Sequence, residues 1–149
     1  MKKRYFIGID PGYKKVGIAL VDQDKQIVYK SISKSSYFLD ILHWLVEEYD
    51  VEDIIVGNGG NYRTIIGALN ILKFSRNSQK RNLNIHKVDE SSSSIEARKI
   101  FVEKEKNFIG RIICYLKSFF LPLDDYAAYV LVCRFLSNLP EDKRQPKNI

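Results

Sequence analysis

The first part of the chain alternates short apolar runs with polar turns. The runs occupy residues 5–9, 16–21 and 27–32, and they are rich in the branched and aromatic side chains typical of strands. Short polar connections join them, and the first connection begins with Asp10-Pro11-Gly12. Strands that follow one another through short turns pair in opposite directions. The pattern therefore predicts an antiparallel meander of three strands.

From residue 38 onwards the apolar spacing becomes helical, with short strands between the helices. Apolar residues recur at helical spacing from Phe38 to Tyr49, which predicts the first helix. Ser93 and Glu96 have the spacing of a capping box, which predicts a later helix beginning near Ile95. The other predicted elements are a strand at 54–57, a helix around 65–72, a strand at 85–88, a weaker helix or lid-like segment at 107–120 and a last helix from 121 to about 139.

This order of elements predicts the architecture. A three-stranded meander followed by alternating helices and strands gives a mixed five-stranded sheet, in which two parallel strands join the meander and helices cover both faces. The expected fold class is therefore a three-layer α/β fold. The 149 residues are enough for one core, so we predict a single domain over residues 1–139. Residues 140–149 contain too few apolar side chains to pack, and we predict a flexible tail there.

The charged residues limit the possible partners. With 24 Lys and Arg against 18 Asp and Glu, the net charge is +6 and the isoelectric point is near 9.2. A basic excess in a small domain favours a polyanionic partner such as nucleic acid, although a merely basic protein has the same composition. No apolar run approaches the roughly 20 residues that span a bilayer, so we expect a cytoplasmic protein without a membrane partner. Two cysteines without CxxC spacing and two histidines argue against a Cys/His zinc site.

Four carboxylates lie at the ends of predicted elements. Asp10 follows the first strand, Asp89 and Glu90 follow the fifth, and Asp124 lies in the first turn of the last helix. Carboxylates gathered at one sheet edge repel one another unless a divalent cation joins them, and hard oxygen ligands suit Mg²⁺ or Mn²⁺. Two such ions on the order of 4 Å apart can activate water and stabilise the leaving oxygen in phosphodiester cleavage. We therefore predict that these four carboxylates are catalytic metal ligands.

Each of these carboxylates also has a simpler explanation. Asp10-Pro11-Gly12 contains the commonest turn residues and can be a turn and nothing more. Asp124 lies at a helix N-terminus, where negative charge favours the macrodipole, and Asp89 can cap the serine-rich turn that follows it. The combination favours a metal site, because the predicted fold brings the ends of the first and later parallel strands to one sheet edge.

Basic residues near these carboxylates are the candidates for phosphate contacts. Lys14 and Lys15 lie beside Asp10, where they would meet the phosphates of a substrate. The stretch from 73 to 84, predicted as a helix end and loop, carries Arg76, Lys80 and Arg81 and is usable as a phosphate-contacting flank. A solvated surface is the more frequent explanation for such a run.

Four short motifs, in order along the chain, resemble the YqgF family over roughly residues 4 to 139. These are the RuvC-like proteins of the ribonuclease H superfamily, also called pre-16S rRNA processing nucleases or Holliday junction resolvase-like proteins. The motifs here are Ile7-Gly8-Ile9-Asp10-Pro11-Gly12 with Gly17-Ile18-Ala19, Ile55-Val56-Gly57, Val88-Asp89-Glu90 with Ser93-Ser94-Ile95-Glu96-Ala97, and Leu123-Asp124-Asp125-Tyr126-Ala127-Ala128.

The resemblance implies a ribonuclease H-like fold and matches Asp10, the Asp89-Glu90 pair and Asp124 to the family's acidic positions. It also places Ser93 and Ser94 where the family has two threonines, among the nucleic-acid-binding residues. Two positions depart from the family pattern. The family's Gly-Leu-Pro is Gly57-Asn58-Gly59 here, and the arginine that follows the acidic pair is Ser91. These departures affect the expected handling of substrate more than the expected binding of metal.

The resemblance further implies a divalent-metal-dependent nuclease, with processing of an rRNA precursor favoured and branched DNA as the other substrate class. One alternative is a Holliday junction resolvase acting as a homodimer on four-way DNA junctions, whereas a processing nuclease can be a monomer. Another is a non-catalytic nucleic-acid-binding module of the same fold. A sugar or acyl kinase of the actin-like superfamily needs two such domains, and 149 residues supply one.

Overall fold

The computed structural model describes residues 3–78, 82–91, 93–118 and 121–145. Five strands and six helices occupy these ranges. They are β1 Tyr5–Pro11, β2 Lys15–Asp22, β3 Ile27–Lys34, α1 Phe38–Glu48, β4 Asp53–Gly57, α2 Tyr62–Ser78, β5 Asn84–Val88, α3 Ser93–Glu103, α4 Phe108–Ser118, α5 Asp124–Asn138 and α6 Glu141–Arg144. The order of elements is the one predicted from the apolar pattern, and the short α6 follows it.

The strands form one mixed sheet in the order β3-β2-β1-β4-β5. β1 pairs antiparallel with β2, which pairs antiparallel with β3, whereas β1 with β4 and β4 with β5 are parallel. The predicted meander with two added parallel strands is therefore confirmed. Because β1, β4 and β5 run in the same direction, their carboxyl ends meet at one edge of the sheet.

Helices cover both faces of this sheet, as predicted. In β1, Ile7 and Ile9 belong to the core that α1 and α2 cover, whereas Phe6 packs on the opposite face with residues of α5. This division follows from the period of two along a strand. Next to α5 lies α3, and α4 packs against α3. The α5 face thus carries a second layer of helices, and none of the described helices is long and apolar enough to cross a membrane.

The α5 helix lies unusually close to the sheet because the strands beneath it carry glycines. A Cβ atom at Gly8 would collide with the backbone carbonyl of Ala128, and one at Gly17 would collide with the backbone of Asp124. The paired alanines Ala127 and Ala128 are small enough to allow this close approach from the helix side. The glycines allow it from the strands, since any larger residue there would push the N-terminal half of α5 away.

Two helix starts differ from the predicted ones. The α5 helix begins at Asp124, after Pro122, and α3 begins at Ser93 instead of near Ile95. The carboxylate of Glu96 accepts a hydrogen bond from Arg134 of α5. The Ser93 side chain lies outside the described structure, so the capping box stays a prediction.

Part of the segment predicted as a tail is helical. The four residues of α6 follow Pro140, and the Arg4 guanidinium donates a hydrogen bond to the carbonyl of Lys143. Arg144 donates to the carbonyl of Leu139 at 2.9 Å. These contacts attach the described part of the segment to the domain, while the boundary at residue 139 remains a prediction.

Candidate functional site

Three of the four predicted carboxylates meet at the carboxyl edge of the parallel strands. Asp10 lies at the end of β1 opposite Gly17 of β2, and the backbone of Asp124 passes directly over that glycine. Glu90 follows β5, two strands away from Asp10 in the sheet. The Asp10 carboxyl interacts with the carboxyl groups of both Glu90 and Asp124. Strand direction and the close approach of α5 therefore assemble one acidic cluster from distant parts of the sequence.

The electrostatics of Asp10 reflect this crowding. Burial, followed by the neighbouring carboxylates of Glu90 and Asp124, raises the pKa of Asp10 from its ordinary 3.8 to about 8. Desolvation disfavours the charged form of a carboxyl, and adjacent negative charges disfavour it further. Without a cation, the cluster therefore retains a proton at neutral pH.

Glu90 has a carboxylate oxygen that lacks a hydrogen-bond donor. Its Oε1 atom is buried and unpaired in the described part of the protein. The space for this side chain comes from Gly57 and Gly59, since a Cβ atom at either position would collide with the Glu90 carboxylate. A buried carboxylate oxygen without a donor is costly unless a cation or proton compensates for it.

The cluster fits a hard divalent cation by its chemistry. Every donor in it is a carboxylate oxygen, which is the ligand type that Mg²⁺ and Mn²⁺ prefer. As they stand, no three His, Cys, Asp or Glu side chains of the described residues form a group that could hold a metal ion. Carboxylates that no cation neutralises repel one another, and this repulsion keeps them from closing around a common point. The same repulsion contributes to the raised pKa of Asp10.

Comparison with known protein families shows the family to which this chain belongs. The model of the RuvX family, described as Holliday junction resolvase, matches residues 4–138. The chain belongs to the RuvX family. The match covers nearly the whole chain, and it confirms the resemblance drawn from the four motifs. No curated protein sequence matches the chain.

Two solved structures of RuvC have a similar fold. The RuvC of T. thermophilus in complex with Holliday junction substrate aligns with a TM-score of 0.57 at 14% identity, covering 86% of this chain and 89% of that one. A second Thermus thermophilus RuvC structure aligns with a TM-score of 0.51 at 10% identity, covering 85% and 89%. The ribonuclease H-like fold is thereby confirmed. Family and fold together support a nuclease.

The structure separates the two members of the acidic pair in this RuvX protein. Asp89 is exposed, and it accepts hydrogen bonds from the Ser91 hydroxyl at 2.5 Å, the Ser91 backbone N–H at 3.2 Å and the Asn58 amide at 3.3 Å. The bonds from Ser91 hold the pKa of Asp89 below its ordinary value. Glu90, which interacts with Asp10, is the member that the fold brings into the cluster.

Asn58, one of the departures from the family pattern, connects β4 to the acidic pair. Its side-chain oxygen accepts the Glu90 backbone N–H at 3.0 Å, and its amide donates to Asp89. Its own backbone N–H donates to the carbonyl of Val88 at 3.1 Å. The amide side chain therefore fixes the backbone from which Glu90 projects, a role that residue type alone did not indicate.

Arg134 supports the same loop from α5. Its guanidinium donates to the carbonyl oxygens of Asp89 at 2.7 Å and Ser91 at 2.6 Å, and it also pairs with Glu96. Ser91 stands where the family pattern has an arginine after the acidic pair. In this chain the guanidinium of Arg134, from α5, binds the backbone of the loop after β5. Sequence reasoning missed Arg134 because its contacts lie more than 35 residues away along the chain.

Asn58→Ala is expected to weaken Mn²⁺ binding by about 10- to 100-fold, the usual effect of removing a group that orients a metal ligand. The substitution removes the hydrogen bond that aligns the Glu90 backbone. Isothermal titration calorimetry with Mn²⁺ measures the change in affinity. Asn61→Ala is the matched control, because Asn61 joins the same turn through its backbone N–H, 2.6 Å from the Pro11 carbonyl oxygen. Equal affinities of the two variants would contradict a positioning role for Asn58.

The predicted phosphate-contacting residues are only partly described. Lys14 and Lys15 are exposed at the turn between β1 and β2, beside Asp10. Arg76, Ser93 and Ser94 lie in helices, but their side chains are outside the described structure, and Lys80 and Arg81 are outside the described residues. Their roles stay predictions.

Arg98 is a further cation beside the cluster. It lines, together with Asp124, a cavity of about 190 Å³ whose other walls come from the end of α4 and the segment before α5. No sequence motif singled it out, because it lies within an ordinary helical pattern of α3. Its position places a guanidinium next to the candidate site on the side of α3.

The raised pKa of Asp10 predicts a pH dependence of stability in the metal-free protein. Between about pH 4 and about pH 8 the folded protein keeps a proton on Asp10 that the unfolded chain releases, so stability falls as the pH rises through this window. The free energy of unfolding in urea with EDTA, compared between wild type and Asp10→Asn, isolates this contribution. The wild type should lose stability relative to the variant across the window, and a difference that stays constant with pH would contradict the shift.

Proposed function

We propose that this chain is a divalent-metal-dependent nuclease whose ions are held by Asp10, Glu90 and Asp124. The observation that carries the proposal is the Asp10 carboxyl, buried against two other carboxylates with its pKa raised to about 8. The unpaired, buried Oε1 of Glu90 supports the same conclusion. Asp89 adjoins this set and orients the loop through Ser91 and Asn58.

Bound Mg²⁺ or Mn²⁺ would supply an activated water and stabilise the charge that develops on the scissile phosphate. The protein's contribution is to present three carboxylates, from the end of β1, the loop after β5 and the first turn of α5. Asn58 and Arg134 hold the Glu90 loop, and the close contact of α5 with Gly17 holds the Asp124 backbone. Such preorganisation keeps the ligands in place as charge moves during the reaction.

Substrate phosphates flanking the reacting one would meet cations on two sides of the cluster. Lys14 and Lys15 lie at the β1–β2 turn, and Arg98 lines the cavity next to Asp124. Phosphate contacts of this kind position a nucleic acid without reading its sequence. The predicted contacts of Arg76, Lys80, Arg81, Ser93 and Ser94 would extend this surface.

An rRNA precursor is the substrate that the sequence resemblance favours, and pre-16S processing is the proposed role. A four-way DNA junction is the second candidate, because the family description refers to Holliday junctions and one of the two aligned RuvC structures is in complex with a Holliday junction substrate. The net charge of +6 suits either polyanion.

A substrate panel tests these proposals. The protein is incubated with Mg²⁺ or Mn²⁺ and, separately, single-stranded RNA, a pre-16S fragment, duplex DNA and a four-way junction, with EDTA and Asp10→Asn as controls. We expect cleavage of the pre-16S fragment that both controls remove. Cleavage of the junction alone would replace the RNA assignment with the resolvase, whereas binding that survives EDTA without any cleavage would overturn the nuclease in favour of a binding module.

A further inference from the structure

The segment from residue 35 to residue 62 differs in charge from the rest of the chain. It contains six Asp and Glu and no Lys or Arg, whereas the rest of the chain carries all 24 Lys and Arg against the other 12 of the 18 Asp and Glu. The segment includes α1, β4 and the turns that adjoin them. A protein with a net charge of +6 therefore has one strongly acidic part, which repels nucleic acid.

Much of this acidic part lies away from the carboxylate cluster. Because β1 and β3 both pair antiparallel with β2, they run in the same direction, and α1 begins near the sheet edge where both strands end. The helix then returns to the opposite edge, where β4 begins. Glu48 ends α1 there, and the exposed Asp50 follows it. A partner bound at this end of α1 would leave Asp10 and its neighbours open to substrate.

Trp44 lies on the exposed side of α1 between two acidic residues. It is 48% exposed, and Asp40 and Glu48 lie one helical turn before it and one turn after it on the same side. Both acidic residues are exposed, and neither forms an ion pair in the part of the chain that the structure describes. An indole ring between two such carboxylates attracts a guanidinium or ammonium group.

Two tyrosines hold the indole of Trp44 in place. Tyr29 of β3 and Tyr49, which follows α1, contact it edge to face, with ring centroids 5.5 and 6.5 Å from the indole. Tyr5 of β1 extends this row of rings, 5.2 Å from Tyr49. Aromatic residues are enriched where proteins bind one another, and Trp is the ring that binds a cation best. Because its neighbours already fix the indole, little side-chain freedom would be lost on binding.

We propose that the Trp44 surface, formed by Trp44, Asp40 and Glu48 with Tyr29 and Tyr49, binds a Lys- or Arg-rich segment of a partner protein. Charge complementarity selects this occupant, because the surface is acidic while the protein as a whole is basic. An arginine of the partner would stack on the indole, and its neighbouring cations would pair with the two carboxylates. The proposal does not depend on the nuclease activity.

Intrinsic fluorescence tests the proposal, because Trp44 is the only tryptophan of the chain. An octa-arginine peptide is titrated into the protein at about 50 mM salt, and the expected result is a saturable change in tryptophan emission that about 500 mM salt abolishes. Single-stranded RNA in place of the peptide, or dilution of the protein alone, should leave the emission unchanged. No change with the peptide overturns the proposal. A change with RNA would assign the surface to nucleic acid and a change on dilution would assign it to a second copy, and either result overturns it too.

Charge variants test the same surface without disturbing the aromatic rings. Asp40→Asn combined with Glu48→Gln should weaken binding of a fluorescein-labelled octa-arginine peptide by about tenfold, measured by fluorescence anisotropy at low salt. Both positions are exposed, so the fold should be unaffected, and an unchanged melting temperature checks this. Asp24→Asn combined with Glu141→Gln, at exposed positions elsewhere, is the matched control and should bind as the wild type does. Equal affinities of the two double variants overturn the proposal.

Discussion

Asp10→Asn is expected to lower the rate of phosphodiester cleavage by at least about 1,000-fold. Asp10 lies between Glu90 and Asp124, so the substitution removes the carboxylate that both others adjoin. A metal ion contributes several kcal/mol to charge stabilisation, and each 1.4 kcal/mol corresponds to about tenfold in rate. Single-turnover cleavage with saturating Mn²⁺ measures the loss.

Folding controls distinguish this loss from damage to the protein. Asp10→Asn removes a buried acid from a repulsive cluster, so the metal-free variant should be at least as stable as the wild type at pH 8. Added Mn²⁺ should raise the melting temperature of the wild type but not of the variant. Asp24→Asn, at an exposed position of the β2–β3 turn, is the matched control. Full cleavage by Asp10→Asn would refute the proposed site.

Glu90→Gln should lower cleavage by roughly 1,000-fold, whereas Asp89→Asn should lower it by less than about tenfold. Glu90 interacts with Asp10 and has a buried oxygen without a donor, whereas Asp89 is exposed and already bonded to Ser91 and Asn58. Both substitutions keep the side-chain shape and remove one charge. The same single-turnover assay, with Mn²⁺ affinity measured in parallel, compares them. If Asp89→Asn lowered cleavage more than Glu90→Gln did, Asp89 and not Glu90 would be the metal ligand.

The strands and their order could be predicted because their signals are local. The period of two in β1, the uninterrupted apolar run of β4 and the short connections of the meander each specify a strand without reference to the rest of the chain. Parallel direction then brings Asp10 and Glu90 to the same edge. The paired alanines after Asp124 indicated that α5 lies close to the sheet. These features explain why the carboxylate cluster could be anticipated.

The remaining details depend on tertiary contacts. Asp89 and Glu90 are adjacent in sequence, and tertiary contacts, among them those of Asn58 and the glycines at 57 and 59, determine which of them points into the cluster. Glu96 pairs with Arg134, and no local pattern indicated this contact because Arg134 comes much later in the chain. The pattern at 107–120 predicts a weaker helix or lid-like segment, and no local signal states which side of such a helix a neighbour will cover.

The α5 helix carries Asp124 at its first turn and Arg134 about 15 Å further along its axis. One end of this helix supplies a carboxylate to the cluster, and the other end holds the loop that carries Glu90. Both halves of the cluster therefore depend on a segment that the ribosome makes after β1 and β5. During synthesis, Asp10 and Glu90 can emerge and fold without forming a complete site. The proposed cleavage activity would begin only once α5 has left the ribosome and docked against the glycines of the sheet.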